Sequence, residues 1–263
     1  MYEAYDACHD VEMGSVVAII NQKGGVGKTT VTLGLASAAA ESGAKVLVVD
    51  LDPQAASTWA LGVDPGTTQF SVIDVFDKAK IRKTIQPSTW SEQIDVLPSA
   101  RGLQEHEHGS AKRLRSVLHK VTDDYDAVLI DCPPSLGNLS ASGLAAADHA
   151  IIVVEPSALG LRGISAVVDL IDDVWDTTNP DLDFAGVIVN KVPAISNEAE
   201  RRLDELRRLV GKKAVWKPSI PSRVIVNQSV GERRPIHSYG ARSADVSAAF
   251  DQLWIKLAKA VRR

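Results

Sequence analysis

The amino-acid sequence predicts an α/β fold, a single doubly wound, mostly parallel sheet flanked by helices. Three observations carry this. Short apolar runs rich in β-branched residues recur at 16–20, 46–49, 94–97, 127–130, 150–154 and 184–189, each bounded by Gly, Pro, Asn or Asp. They are apolar on successive residues, as strands covered on both faces must be. Stretches with helical apolar spacing lie between them, at 28–42, 160–174, 197–210 and 245–261, the first ending at Gly43, a glycine placed to cap it. This alternation fills the chain with no Ser/Gly-rich linker, which favours one continuous sheet.

At 263 residues and 28.2 kDa the chain is long enough to bury a sizeable core. With 45% hydrophobic and 24% charged residues, bulk disorder is excluded. Residues 16–263 are assigned to one domain and residues 1–15 to an acidic extension. That extension carries Glu3, Asp6, Asp10 and Glu12 and no Lys or Arg, the reverse of a signal peptide's basic start. It reads as a flexible tail or as a partner-binding segment. No run approaches the roughly 18 apolar residues of a membrane span. Cys8 and Cys132 have no metal spacing and form no disulfide framework, so a reducing, cytoplasmic setting is expected. The net charge of −4 advertises no nucleic acid, so any such contact requires a local patch.

Directly after the first strand comes Asn21-Gln22-Lys23-Gly24-Gly25-Val26-Gly27-Lys28-Thr29-Thr30, which opens a helix. Glycines let backbone N–H groups curl around phosphate oxygens, and a helix N-terminus adds its positive end. Lys28 is placed to reach the β- and γ-phosphates, and the Thr29 hydroxyl to ligate Mg²⁺. The strict G-x-x-x-x-G-K-[ST] pattern fails because Gln22 holds its first glycine position, while a second lysine, Lys23, stands inside the loop. Asp131 ends an apolar strand, a usual place for a carboxylate that holds Mg²⁺, often through water. Asp50 and Asp52 end another strand.

The loop resembles that of the deviant-Walker-A ATPases of the ParA/MinD group, P-loop NTPases defined by KGGxGK[ST]. The resemblance grows at Val48-Val49-Asp50-Leu51-Asp52-Pro53-Gln54 and at Val128-Leu129-Ile130-Asp131-Cys132-Pro133-Pro134-Ser135, and extends more loosely to Ile220-Pro221 and the final helix. These segments look more like ParA/Soj partition proteins than MinD. The resemblance implies ATP and Mg²⁺ as ligands, Asp52 as the carboxylate that orients the attacking water, and Asp50 as either a metal-supporting or a structural carboxylate. It implies that Lys23 reaches across a nucleotide-sandwich homodimer to the partner's phosphates, and that Asn190 and Pro221 border the adenine. It also implies non-specific DNA binding, a ParB-like activator and nucleoid association in the ATP state.

Charge is unevenly spread. Residues 191–234 hold eleven Lys/Arg against five acids. Arg201, Arg202, Arg207 and Arg208 share one predicted helix, Lys212, Lys213 and Lys217 follow it, and Arg223 comes after the Ile-Pro turn. Two readings stand: a phosphate-binding DNA face, or a solvated face in which Glu198, Asp204 and Glu205 pair with the arginines. The last helix puts Val246, Phe250, Leu253, Trp254 and Leu257 on one stripe. It is expected to pack on the sheet, with a MinD-like membrane attachment as its rival. A metal-cluster relative is disfavoured because the two cysteines supply no ligand set.

Overall fold

The computed structural model describes residues 14–77, 79–106 and 111–261. Six strands, β1 (Ser15–Ile20), β2 (Val46–Asp50), β4 (Ile94–Leu97), β5 (Ala127–Asp131), β6 (His149–Val154) and β7 (Asp183–Val189), run parallel. A two-residue strand, β3 (Gln86–Pro87), joins antiparallel at one edge, giving the order β3-β4-β2-β5-β1-β6-β7. Sequence reasoning missed β3, which has no apolar run and contains a proline, tolerated because it lies at the edge. Ser15, assigned above to the extension, is the first strand residue and pairs with Ala127. Residues 1–13, including Cys8, lie outside the described residues.

The helices are α1 (Lys28–Glu41), α2 (Ala56–Ala60), α3 (Val72–Phe76), α4 (Ala111–Leu118), α5 (Asn138–Ala146), α6 (Ala158–Arg162), α7 (Ile164–Thr177), α8 (Asn197–Val210), α9 (Val224–Gly231) and α10 (Ala244–Ala260). The single helix expected over 160–174 is corrected to two, α6 and α7, which meet at Gly163. A Cβ there would lie 3.6 Å from Gln22 Oε1 and 3.7 Å from Asn21 Oδ1, so the break also seats this corner against the phosphate loop. Gly43 ends the first helix with φ +84°, the left-handed conformation that only glycine adopts cheaply.

Alternation along each strand divides the core between the two faces of the sheet. In β1, Val16, Ala18 and Ile20 pack on one side with α3, α4, α5 and α7; Val17 and Ile19 pack on the other with α1 and α10. Phe250 lies so close to α1 that a side chain at Gly34 would collide with its ring. The α10 stripe of Val246, Phe250, Leu253, Trp254 and Leu257 is buried in this second layer, as the packed reading expected. Burying a side chain such as Phe250 or Leu253 stabilises the fold by roughly 1.5–3 kcal/mol. That stripe is not free to enter a lipid surface. Among the described residues, no helix is long and apolar enough to cross a membrane.

Candidate nucleotide site

The parallel arrangement puts the C-terminal ends of β1, β2, β5 and β6 along one rim, where an open α/β sheet binds its ligand. The loop leaves β1 at Ile20 and turns into α1 at Lys28. Gly25 and Gly27 take φ values of +79° and +94°. Asn21 anchors one end, donating from Nδ2 to Val153 O at 2.6 Å and accepting from Lys23 N at 2.9 Å. Asn190, buried at the end of β7, anchors the other by donating from Nδ2 to Val26 O at 2.9 Å. It approaches so closely that a Cβ at Gly27 would strike its amide. No side chain caps α1, and its first turn carries no acid, so its leading N–H groups face the loop without a side-chain partner.

Lys28 is 6% exposed, and its Nζ lies 3.5 Å from Lys23 O. Burial pulls its pKa below the usual lysine value, against the raising charges of Asp131, Cys132 and Asp52. A buried ammonium with no ion pair among the described residues is suited to receive an anion. Asp131 ends β5 and is fully buried; its Oδ2 accepts from Thr29 Oγ1 at 2.7 Å and from Ser57 Oγ at 2.6 Å. Burial pushes its carboxyl up, while hydrogen bonds from Ser57 and Thr29 and the charge of Lys28 pull it back. The set of one carboxylate and two hydroxyls, all hard oxygen donors beside a phosphate loop, fits Mg²⁺.

Asp50 sits directly across from Asp131 in the next strand and is fully buried. Its Oδ1 accepts from Asp52 N at 3.0 Å, and its Oδ2 from Thr58 N at 2.8 Å and Thr58 Oγ1 at 2.7 Å. Thr58 Oγ1 in turn accepts from Ser99 N at 2.8 Å, and Ser99 Oγ donates to Asp52 O at 2.7 Å. Of the two roles expected of Asp50, these contacts match the structural one. Both its oxygens are occupied in holding the 52–58 segment, and burial together with Asp131's charge pushes its carboxyl well above the ordinary range.

Asp52 leads that segment. Its Oδ1 accepts from Gln54 N at 2.9 Å, and the turn closes through Ala55 N to Asp52 O at 2.8 Å. Ala55, at the start of α2, takes φ +53°, an unusual conformation for alanine that costs roughly 1 kcal/mol. Asp52 is half-buried, and its charge acts on both Lys28 and Asp131, which places it beside the phosphate loop.

Lys23 folds back onto Glu155 of its own chain, just past the end of β6. Ser157 Oγ donates to the same carboxylate at 3.0 Å. Burial pushes the Glu155 carboxyl up, but the hydrogen bonds from Lys23 and Ser157 outweigh it and hold the group below its ordinary range. Lys191, with φ +56°, donates from Nζ to Gly25 O at 2.5 Å. Beside the loop, Thr30, Asn190, Lys191, Pro221 and Val226 line a cavity of about 210 Å³, so the two residues expected at an adenine ring share one pocket. Sequence reasoning missed Ser57, Thr58, Ser99 and Glu155. Serines and threonines are too common to single out, but an acid just past a buried strand was a usable signal.

The basic stretch does not form one uniform positive face. Within α8, Arg201 and Arg202 pair with Glu198, Arg202 also with Glu205, and Arg207 with Asp204. Arg223 pairs with Asp245 at 2.7 Å. The three α8 arginines thus pair as the solvated reading has it, while Arg223 meets an acid of α10. Arg208 and the exposed Lys212, Lys213 and Lys217 have no ion pair with a described residue.

Comparison with known proteins agrees with this geometry. The family described as an AAA domain matches residues 14–184. The sporulation initiation inhibitor protein Soj of Bacillus subtilis is 34% identical over 246 residues, covering 91% of this chain and 96% of Soj. The chromosome partitioning protein ParA of Myxococcus xanthus is 30% identical, covering 88% and 83%. Among solved structures, the cobyrinic acid a,c-diamide synthase of Mycobacterium smegmatis, with bound ADP and magnesium, superposes with a TM-score of 0.79 at 30% identity, covering 91% and 92%.

Proposed function

This chain belongs to the ParA/MinD-type ATPases, and from that premise we propose that it is a Mg²⁺-dependent ATPase that dimerises with ATP and positions a cargo, binding DNA non-specifically in the ATP state. The loop N–H groups over 24–28 and the start of α1 hold the phosphates, and Lys28 neutralises the β- and γ-oxygens within its own subunit. Thr29 and Asp131 would hold Mg²⁺. The ion, when bound, neutralises charge on the leaving phosphate. Asp52 accepts a hydrogen bond from the attacking water and orients it. Asn190 and Pro221 border the adenine. Lys23 leaves Glu155 to reach the partner's phosphates, which ties dimerisation to the γ-phosphate. A ParB-like partner stimulates hydrolysis, and the protein is cytoplasmic and nucleoid-associated when ATP-bound.

The observation that carries this reading is the convergence of Thr29 and Ser57 on Asp131 beside the buried Lys28. It is tested by calorimetric titration of ATP with Mg²⁺ or with chelator, together with turnover, on the wild type, Thr29→Ala and Asp131→Asn. Binding that ignores both the metal and the substitutions overturns it. A second reading, the same ATPase positioning a non-DNA cargo, is favoured by the self-pairing of α8. Co-sedimentation with random duplex DNA in ATP and in ADP separates the two.

A further inference from the structure

Two adjacent residues at the end of β7 hold two adjacent carbonyls of the phosphate loop. Asn190 donates from Nδ2 to Val26 O at 2.9 Å, and Lys191 from Nζ to Gly25 O at 2.5 Å. In an extended chain successive side chains point to opposite sides, so one of the pair would face away from the loop. Lys191 instead takes φ +56°, a left-handed conformation uncommon for a long side chain, and both residues reach the loop. Backbone contacts on either side hold that turn: Asn190 N donates to Val154 O at 2.8 Å, and Val192 N to Ile220 O at 3.0 Å. The sequence places Lys191 at the head of the basic stretch, yet its ammonium forms no ion pair with a described residue. Glu155, an acid within reach of its charge, is taken by Lys23.

A trans peptide points its C=O and its N–H in opposite directions. Pinning Gly25 O to Lys191 therefore aims Val26 N–H to the opposite side, and pinning Val26 O to Asn190 does the same for Gly27 N–H. Neither N–H donates to a described residue. Gly25 and Gly27 sit at φ +79° and +94°, and glycine's freedom would let these peptides turn either way if nothing held them. A peptide turned over would present its carbonyl, the negative end, to an incoming anion. We propose that Lys191 is a positioning residue of the phosphate loop: it fixes the Gly25–Val26 peptide so that Val26 N–H faces the nucleotide phosphates. This rests on the nucleotide reading given above and adds to it a residue that acts through the loop rather than on the reacting atoms. It also removes Lys191 from the cations available to DNA.

Two measurements on the full chain test this. Lys191→Gly removes the side chain while accepting the left-handed backbone, and Lys191→Arg restores a cation of similar reach. The first is nuclear magnetic resonance on nucleotide-free protein, isotope-labelled at glycine carbonyls and valine nitrogens. The Gly25 carbonyl resonance should move upfield in Lys191→Gly, as a carbonyl does on losing a charge-assisted hydrogen bond, and return toward the wild-type position in Lys191→Arg. An unmoved resonance overturns the clamp. This arm uses no ligand, so it holds or fails apart from the nucleotide reading, which the wild-type ADP titration itself checks. The second is calorimetry with Mg²⁺. Lys191→Gly should weaken ADP and ATP alike by about fivefold to twentyfold, and Lys191→Arg by less than about threefold. In turnover, KM should rise by the same factor with kcat within about twofold, the pattern of an interaction made equally in ground and transition states. Urea unfolding of nucleotide-free Lys191→Gly should match the wild type. Wild-type ADP affinity in Lys191→Gly, a fall in kcat with KM unchanged, an equal deficit in Lys191→Arg, or a loss of urea stability that accounts for the lost affinity overturns the proposal.

Discussion

The phosphate loop and the α8 region are both rich in lysine or arginine, yet their charges are handled in opposite ways. At the loop, Lys28 and Asp131 are buried, and Asp131 is held by Thr29 and Ser57, both distant from it in sequence. On α8, Arg201, Arg202 and Arg207 find acidic partners three or four residues away. Desolvation makes an unpaired charge costly in the first region and nearly free in the second. Buried charges therefore identify a site by geometry. Exposed ones do so only after their local partners have been counted.

The sharpest way to break this contrast is at the buried lysine. Lys28→Ala should weaken ATP binding by at least about a hundredfold, because a charge-assisted contact in a dry site is lost; calorimetry with Mg²⁺ reads it. Asp52→Ala should instead leave binding within a few-fold while turnover falls by about 10² or more, as expected for a lost water-orienting carboxylate. Steady-state phosphate release near the wild-type rate would remove Asp52 from that role.

Asp50 tests whether burial or ligation explains a strand-end carboxylate. Asp50→Ala strands the Thr58 and Asp52 amides and should cost about 2–4 kcal/mol in urea unfolding of the nucleotide-free protein. If that stability is unchanged while Mg²⁺ affinity drops, Asp50 is a metal residue after all.

A smaller effect is expected at the half-buried pair of Lys23 and Glu155. Releasing the lysine by Glu155→Gln should favour the ATP-dependent dimer by about fivefold, a shift of about 1 kcal/mol, whereas Lys23→Ala should prevent the dimer. Analytical ultracentrifugation with a slowly hydrolysed ATP analogue measures both, and equal dimerisation of all three proteins contradicts the cross-subunit role.

The smallest effects lie on the surface. Replacing Lys212, Lys213 and Lys217 by Ala should lower the slope of log affinity against log salt for duplex DNA by about 2–3, roughly one per lost phosphate contact. Replacing Arg201, Arg202 and Arg207 should lower it by less than about 1, since their charge is already spent on acids of the same helix. A larger loss from the arginines reverses the comparison.

Much of the molecule follows from the sequence alone. The strand at 94–97, the helix at 197–210 and the loop from Asn21 to Thr30 depend on patterns among near neighbours: apolar period, capping glycines and the backbone freedom of Gly25 and Gly27. The possible pairing of the α8 arginines was visible in the same way, from acids three and four residues off. Tertiary structure alone gives Asp50 and Asp52, two residues apart at one strand end, different surroundings. Thr58 arrives over Asp50 and occupies its Oδ2, while the Asp52 amide occupies its Oδ1 and the Asp52 side chain stays half-buried. It likewise decided that Ser57 joins Thr29 on Asp131 and that Lys23 rests on Glu155. The physical reason is desolvation: whether a carboxylate or ammonium is neutralised, shifted or left for a ligand depends on which distant segments exclude water from it, and local spacing does not encode that.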